Sequence, residues 1–289
     1  TLFPVYLTAA CLCKKLLEEK LGVYKTKAMR VLKSILGICL VLLIFGFHSD
    51  FKKTTDKNKW QSLFNGKDLT DWVVKIKGYK AGNNVHNTFR VTDGVLKVSY
   101  ADYDSFNNQF GHIFYKNPFK NYILRLDYRF VGQQAKGGAS WGNRNNGIMI
   151  FCQSPESMEI NQNFPVSIEV QLLGGLADGK GRPTGNVCTP GTDIIMNDSL
   201  ITTHCIDSNS KTYFGDQWVQ AEVEVHSDSL IIHRINGIEV MRYSKPQIGG
   251  AYNTFKNRDG EVLKSGYISL QSESSPTEFR NIKIRKLKY

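Results

Sequence analysis

The sequence predicts an all-β protein that folds as a two-sheet antiparallel jelly-roll sandwich. From Trp60 onward, apolar residues recur with a period of two rather than 3.6. An Asn-Gly hairpin signal stands at Asn236-Gly237, and no long amphipathic helix is apparent after Phe51. A dozen or so short strands in about 230 residues are typical of two packed sheets.

The individual strands follow from alternation. Residues 122–130 (YILRLDYRF) place apolar side chains on one face and Arg125, Asp127 and Arg129 on the other, and residues 219–226 (VQAEVEVH) alternate in the same way. Residues 230–243 (LIIHRINGIEVMRY) predict a hairpin, because Asn-Gly accepts positive φ at both central positions of a type I′ turn. Further strands are predicted in GVLKVSY, GIMIFCQ, SIEVQLL, GYISLQ and FRNIKIRKL.

The segment 174–216 has few strand signals and predicts a long loop. Loops of this length in a compact β domain are usually functional or disordered. Pro183, Pro190 and two cysteines favour an ordered, functional loop here.

The N-terminal part of the chain differs from the rest. Met29-Arg30 precedes a 13-residue apolar run, Ile35 to Phe47, which suits the apolar region of a signal peptide and is short for a membrane-spanning helix. The sequence therefore predicts that residues 1–28 are an upstream or non-native segment and that residues 29–50 are a signal peptide or N-terminal membrane anchor. Residues 51–59 are then a linker, and residues 60–289 form one jelly-roll domain.

The charge distribution argues against nucleic-acid binding. Residues 1–59 carry 11 Lys and Arg against four Asp and Glu, so +7 of the net charge of +11 belongs to this segment. The predicted domain shows no basic stripe of the kind that follows a nucleic-acid backbone. We therefore expect no nucleic-acid partner, and contact with a membrane only through the N-terminal segment.

Three of the six cysteines lie in the predicted domain, which export would place in an oxidising compartment. Their spacing contains no C-x-x-C and gives no indication of a zinc site. Cys188 and Cys205 bracket a 16-residue loop and are the favoured disulfide, which leaves Cys152 as a buried thiol.

Polar residues cluster in three stretches that could converge on a groove across one sheet. The first contains Trp141, Arg144, Asn145 and Asn146, followed by Gln153 at the end of the next strand. The second is the strand SIEVQLL, whose outward side chains include Glu169 and Gln171. The third is the long loop, which contains Arg182, Asn186, Asp193 and His204. Tryptophan stacks on sugar faces, while amides and arginine orient hydroxyl groups, so carbohydrate is the expected ligand.

The carboxylate count bears on the reaction. An ordinary glycosidase needs two carboxyl groups, and glucanases of jelly-roll fold place theirs on one strand as E-x-D-x-E. The corresponding pattern here is E-x-Q, with Glu169 alone. Three alternatives remain. A second carboxylate could come from elsewhere in the chain, from Glu156 or Asp193; the reaction could be a different one; or the domain could catalyse no reaction.

The chain resembles the 3-keto-disaccharide hydrolase domain family. The resemblance rests on WQSLFNGKDLTDW, NNGIMI, IEVQLLGG, TGNVCTPGT, INGIEV and GYISLQSESSPTEFRNIKIRKL, in this order, and covers essentially residues 60–289. It implies a fold similar to the concanavalin A-like lectins and glucanases. It also implies export, to the periplasm or cell envelope of a bacterium, and cleavage of glycosides already oxidised to a ketone at C3.

A C3 ketone acidifies the C2 proton, so the glycosidic bond can break by proton abstraction and elimination, and water can then complete a net hydrolysis. One base suffices for the first step. Glu169 or His204 could be this base, with Asp193 a further catalytic candidate. Arg144 and Gln171 could hold the enolate oxygen or ring hydroxyls, and His112 is a weaker acid/base candidate that is also expected at the substrate. Asn146, Gln153 and Trp141 complete the expected substrate-binding set.

Two other interpretations stay open from the sequence. The domain could be a non-catalytic carbohydrate-binding jelly roll, since this fold serves both roles. An ordinary two-carboxylate glucanase is not expected. No cofactor is expected either, and although a divalent cation could bind, no ligand spacing requires one.

Overall fold

The computed structural model describes residues 18–22 and 59–288. The chain divides into two units, Thr1–Thr55 and Asp56–Tyr289. In the first unit, residues 18–22 form one exposed helical stretch. The predicted signal or anchor at residues 29–50, the linker except Lys59, and residues 1–28 outside this stretch lie outside the described residues. Within the described ranges, no helix is long and apolar enough to cross a membrane.

The second unit is a sandwich of two antiparallel sheets, as predicted. The larger sheet has ten strands, in the order β11-β10-β15-β14-β13-β6-β17-β4-β3, with β1 also paired to β17. Its strands are β1 (Gln61–Ser62), β3 (Phe89–Thr92), β4 (Val95–Val98), β6 (Asn121–Phe130), β10 (Thr192–Met196), β11 (Ser199–Ile201), β13 (Val219–His226), β14 (Leu230–Ile235), β15 (Ile238–Ile248) and β17 (Thr277–Lys286).

The smaller sheet has seven strands, in the order β12-β9-β8-β7-β16-β5-β2. Its strands are β2 (Trp72–Ile76), β5 (Gly111–Tyr115), β7 (Asn145–Cys152), β8 (Ile168–Leu173), β9 (Asn186–Cys188), β12 (Cys205–Ile206) and β16 (Tyr267–Ser272). The core lies between the two sheets, where alternate residues of both sheets, such as Val170 and Leu172 of β8 and Val223 and Val225 of β13, belong to one continuous apolar cluster.

The predicted hairpin at residues 230–243 is confirmed. Ile235 of β14 pairs with Ile238 of β15 across the two-residue turn. Asn236 and Gly237 have φ values of 48° and 80°, the positive values that this turn requires.

The segment 174–216 is more regular than its sequence indicates. It contains four short strands, β9 to β12, two in each sheet. Cys188 of β9 pairs with Cys205 of β12, and the predicted disulfide joins them. Cys152 is the free, buried cysteine of the described residues. These strands have only two to five residues, too few for a period of two to be visible.

One half of the outer face of the seven-stranded sheet, the face turned away from the core, is covered. Phe114, Met149, Cys152 and Met158 form a small apolar cluster there. Lys75 of β2, which is 1% exposed, donates from Nζ to the carbonyl oxygens of Ile76 and Ile160 at 3.2 and 3.1 Å. The buried lysine thus fastens the segment 155–164 to the sheet, and the other half of this face remains open.

Candidate functional site

The open half of the outer face holds a cavity of about 840 Å³. Its floor is formed by β7, β8, β9 and the end of β16, and its walls by the loops around residues 140, 164, 180, 204 and 252. The lining side chains combine carboxylates, amides, cations and aromatic rings: Ser140, Trp141, Asn145, Phe164, Glu169, Gln171, Leu173, Leu176, Asp178, Lys180, Arg182, Cys188, Pro190, His204, Cys205, Tyr252 and Glu273. Its size and mixed lining are typical of a small-molecule site.

Glu169 stands on β8 in the floor of the cavity and is only 6% exposed. Its backbone pairs with Met149 on one side and Cys188 on the other. The side chain lies over Gly147 of β7, where an added Cβ atom would come within 2.5 Å of Oε1. Oε1 is buried and has no hydrogen-bond partner. The missing side chain at Gly147 therefore makes room for the carboxylate.

A second carboxylate, Glu273, lines the same cavity directly after β16 and is 4% exposed. Its Oε1 accepts a hydrogen bond from Nε2 of Gln271 at 3.1 Å, while Oε2 is buried without a partner. Sequence reasoning missed this residue and looked to Glu156 or Asp193 instead, neither of which lines the cavity. The signal was present, because Ser269, Gln271 and Glu273 continue one face of the alternating strand.

Burial dominates the electrostatics of this pair. It raises the pKa of Glu169 from 4.5 to about 8. Burial also raises the pKa of Glu273 well above its usual range, and the nearby charge of Glu169 raises it further. Among the described residues, neither carboxylate forms a salt bridge. The pair therefore retains a proton at neutral pH, and one member can donate while the other accepts.

Polar groups surround the two carboxylates. Oε1 of Gln171 accepts a hydrogen bond from Nδ2 of Asn186 at 3.0 Å. Nη1 of Arg182 donates to the carbonyl oxygens of Asn143 and Gly174 at 2.7 and 2.8 Å, so its guanidinium group is held at the cavity wall. His204 is half-buried, its Nδ1 has no partner, and burial lowers its pKa.

Aromatic rings supply apolar faces to the cavity. Trp141 is 52% exposed and stacks on Phe110, with ring centroids 6.0 Å apart and planes 10° apart. The ring of Tyr252 lies 5.2 Å from that of His204 and 5.7 Å from that of Phe164. Exposed aromatic faces beside fixed amides suit the alternating apolar and hydroxylated surface of a sugar ring.

The structure brings part of the predicted site together. Glu169, Gln171, Trp141 and His204 line one cavity, and so does the disulfide between Cys188 and Cys205. Asn145, Arg182 and Glu273 line it as well, although the expected catalytic and substrate-binding set did not contain them.

Five predicted residues do not line this cavity. Arg144 pairs with Asp216 at 3.3 Å and with the carbonyl oxygen of Gly215, behind the cavity wall. Asn146 points into the sandwich, where its Nδ2 donates to the carbonyl oxygen of Gln271 at 2.9 Å. Local alternation on β7 explains this, because Asn145 and Asn146 cannot both face outward.

The other three lie on different parts of the domain. Gln153 is part of a buried amide network, in which its Oε1 accepts from Nε2 of Gln162 at 2.9 Å. Asp193 lies on β10 in the other sheet. His112 is buried next to Phe164, and burial, with a smaller effect from Lys75, lowers its pKa to about 3. Within the described ranges, no three His, Cys, Asp or Glu side chains are grouped so that they could hold a metal ion.

The fold and the cavity together define the class. The domain is a two-sheet antiparallel jelly-roll sandwich with its cavity across one sheet. The chain belongs to the family of 3-keto-alpha-glucoside-1,2-lyase-like domains, whose sequence profile matches residues 59–285. The resemblance described from the sequence is thereby confirmed.

Solved structures of similar fold include two Parabacteroides distasonis proteins that are provisionally named glycosyl hydrolases. One is 18% identical, covers 79% of this chain and 94% of its own, and has a TM-score of 0.50. The other is 22% identical, and the match covers 80% of this chain and 100% of that protein's chain, with a TM-score of 0.49. A Bacillus subtilis protein of galectin-like fold is 12% identical, and the match covers 79% of this chain and 94% of that protein's chain, with a TM-score of 0.42. Among curated proteins, no sequence matches this chain.

Proposed function

We propose that the domain cleaves glycosides that carry a ketone at C3, by abstraction of the C2 proton, elimination of the C1 substituent and addition of water. The family supports a glycoside-related activity of this kind. The observation that carries the proposal is the pair of buried carboxylates, Glu169 and Glu273, in one sugar-sized cavity, neither of which forms a salt bridge with a described residue.

In the first step, Glu169 takes the proton from C2. The electron pair of the C2–H bond moves into the C3 carbonyl and forms an enolate, because the adjacent ketone can accept the charge. The guanidinium group of Arg182, held by backbone carbonyls, supplies positive charge at the cavity wall for this oxygen. Arg182 takes the role that the sequence suggested for Arg144.

In the second step, the enolate reforms the ketone and a C1–C2 double bond, and the bond from C1 to the glycosidic oxygen breaks. Glu273 gives its proton to that oxygen, so the alcohol leaves as a neutral molecule. Water then adds across the double bond, its oxygen to C1 and a proton to C2. The net reaction is hydrolysis, and it needs no second nucleophilic carboxylate.

The assignment of base and acid follows from the two pKa shifts. Glu273 experiences burial and the charge of Glu169, so it keeps its proton when Glu169 has lost one. With a pKa of about 8, Glu169 is a stronger base than an ordinary carboxylate and is partly ionised near neutral pH. His204 is the weaker candidate, because burial lowers its pKa below the usual value.

The test is turnover of 3-keto-trehalose and a 3-keto-nitrophenyl glucoside, beside their unoxidised parents. We expect cleavage of the keto substrates alone, and a loss of at least about a hundredfold in kcat for Glu169→Gln, since general bases contribute factors of this size. Assays with and without EDTA separate this scheme from one in which a divalent cation polarises the ketone. If the unmodified protein leaves both keto substrates intact, the proposal is wrong for these substrates.

A non-catalytic carbohydrate-binding module is the second candidate, because the cavity offers the aromatic faces and amides that sugar binding needs. Such a module would bind sugars with no turnover, before or after Glu169→Gln. Two buried carboxylates that form no salt bridge with a described residue favour the enzyme, because sugar binding alone gains nothing from a raised pKa. An ordinary glucanase would instead cleave unoxidised glucan.

We also propose that the protein is exported to the periplasm or cell envelope. The support is the apolar run from Ile35 to Phe47 behind Met29-Arg30, together with the disulfide, which persists in oxidising compartments. Cell fractionation followed by intact mass measurement tests this, and a cytosolic protein with reduced cysteines would contradict it.

A further inference from the structure

A second hollow of about 340 Å³ adjoins the main cavity. The two share Phe164 and Tyr252, whose rings are 5.7 Å apart in an edge-to-face arrangement. The rest of the hollow is polar and rich in amides, and its lining consists of Lys77, Glu159, Asn161, Gln162, Asn163, Asn253 and Thr254.

The wall of this hollow is held in place by buried hydrogen bonds. Nε2 of Gln162 donates to Oε1 of Gln153 and to the carbonyl oxygen of Phe164, at 2.9 and 2.8 Å. Its Oε1 accepts from the backbone nitrogen of Glu159 at 3.0 Å. The bond from Lys75 to the carbonyl of Ile160 fixes the same segment from below. The shape of the hollow therefore exists before any ligand arrives, which lowers the cost of binding.

Several polar groups in the hollow have nothing to bond to. Oδ1 of Asn163 is buried and has no hydrogen-bond partner. Lys77 is half-buried and forms no ion pair with a described residue, and the side chain of Asn161 is exposed and unbonded. By contrast, Asn253 is fully engaged, donating to Asp259 at 2.7 Å and accepting from Phe255 at 2.8 Å. Asn163 lines the hollow, and the unbonded side-chain groups of Lys77 and Asn161 are available to the hydroxyl groups of a ligand.

We propose that this hollow is an additional sugar subsite, and that the substrate is an oligosaccharide longer than a disaccharide. This subsite rests on the proposed function, to which it adds the length of the oligosaccharide substrate. The main cavity is already large enough for a whole small ligand, so the hollow extends the binding surface beyond it. The hollow combines amides, the ammonium group of Lys77, the carboxylate of Glu159 and two aromatic rings, and this combination suits a neutral ring rich in hydroxyls.

The test measures binding rather than turnover. Unoxidised sugars lack the acidified C2 proton and are not consumed by the proposed reaction, so their affinities can be measured at equilibrium by calorimetry with the intact protein. The probes are maltotriose, cellotriose and laminaritriose, each beside its disaccharide. For at least one linkage we expect the trisaccharide to bind at least tenfold more tightly than the disaccharide.

Asn163→Ala should abolish this gain and leave disaccharide affinity within about twofold. The substitution removes no hydrogen bond of the folded chain, and a thermal melt verifies folding. Lys77→Ala is the second variant, and Asn209→Ala is the matched control, since Asn209 is exposed and lines neither cavity. The subsite is refuted if no trisaccharide gains affinity, or if the gain survives both variants. A length-dependent gain that Asn163→Ala removes, in a protein that does not cleave 3-keto glycosides, would uphold the subsite and reject the proposed function.

Discussion

The carboxylate of Glu169 should make the protein less stable as the pH rises. Burial raises its pKa in the folded state from 4.5 to about 8, so between these values the folded protein holds a proton that the unfolded chain has released. The contribution of Glu169 to the free energy of unfolding is therefore fully present below pH 4.5 and is lost as the pH rises to about 8. At about 1.4 kcal/mol per pH unit, the loss is on the order of 5 kcal/mol.

Glu169→Gln keeps the shape of the side chain and removes its charge. We expect equal thermal stability of variant and parent at pH 4.5, and a melting temperature about 10–20 °C higher for the variant at pH 9, since a domain of this size shifts by roughly 2–4 °C per kcal/mol. Differential scanning calorimetry at pH 4.5, 7 and 9 measures both. Glu278→Gln is the control, because Glu278 is paired with Lys97 at 3.2 Å and Arg129 at 2.7 Å, and its loss should not stabilise the protein.

The reasoning would be refuted if Glu169→Gln lowered the melting temperature at pH 9, or left the difference between variant and parent independent of pH. Either result would mean that the charge of Glu169 is compensated in the folded protein, by a bound cation or by water in the cavity. The assignment of Glu169 as a base with a raised pKa would then also be wrong.

Three further predictions concern the same cavity. If Glu169 is the base, kcat/KM rises with pH up to about 8, whereas His204 as base and Glu169 as acid would give a fall as the pH passes 8. Gly147→Ala should reduce kcat at least about tenfold in steady-state assays, because the new Cβ would displace the carboxylate of Glu169; unchanged kinetics would contradict the placement. Replacing Cys188 and Cys205 by serine should cost about 3 kcal/mol in denaturant unfolding, for a bridge between residues 17 apart, and unchanged unfolding would show that the bridge does not constrain the chain.

The fold was predictable because long strands display their burial pattern. In β13, apolar and polar residues alternate over all eight positions, and in β6 buried and partly exposed residues alternate from Leu124 to Phe130. In β14–β15 the Asn-Gly turn fixes the register. The short strands β9 to β12 could not be predicted, since two to five residues contain too little of any period. Tertiary pairing and the disulfide hold them instead.

The site was only partly predictable because alternation gives the face of a strand and not its neighbours. It placed Glu169 and Gln171 outward, and both line the cavity. It could not indicate that β16 lies next to β7, which is what brings Glu273 to Glu169. Arg144 was expected at the sugar because it belongs to the polar stretch that precedes β7, but a loop residue with φ of 47° does not follow strand alternation.

The treatment of carboxylates elsewhere in the domain bears on the role of this pair. On the ten-stranded sheet, Glu222, Glu278 and Asp127 are each paired with an arginine, at 2.6, 2.7 and 3.3 Å. Glu169 and Glu273 are buried to a similar extent, at 6% and 4% exposed, but form no salt bridge with a described residue. Neutral residues of similar size would be more stable there. The proposed elimination from a 3-keto glycoside would use Glu169 and Glu273 for proton transfer.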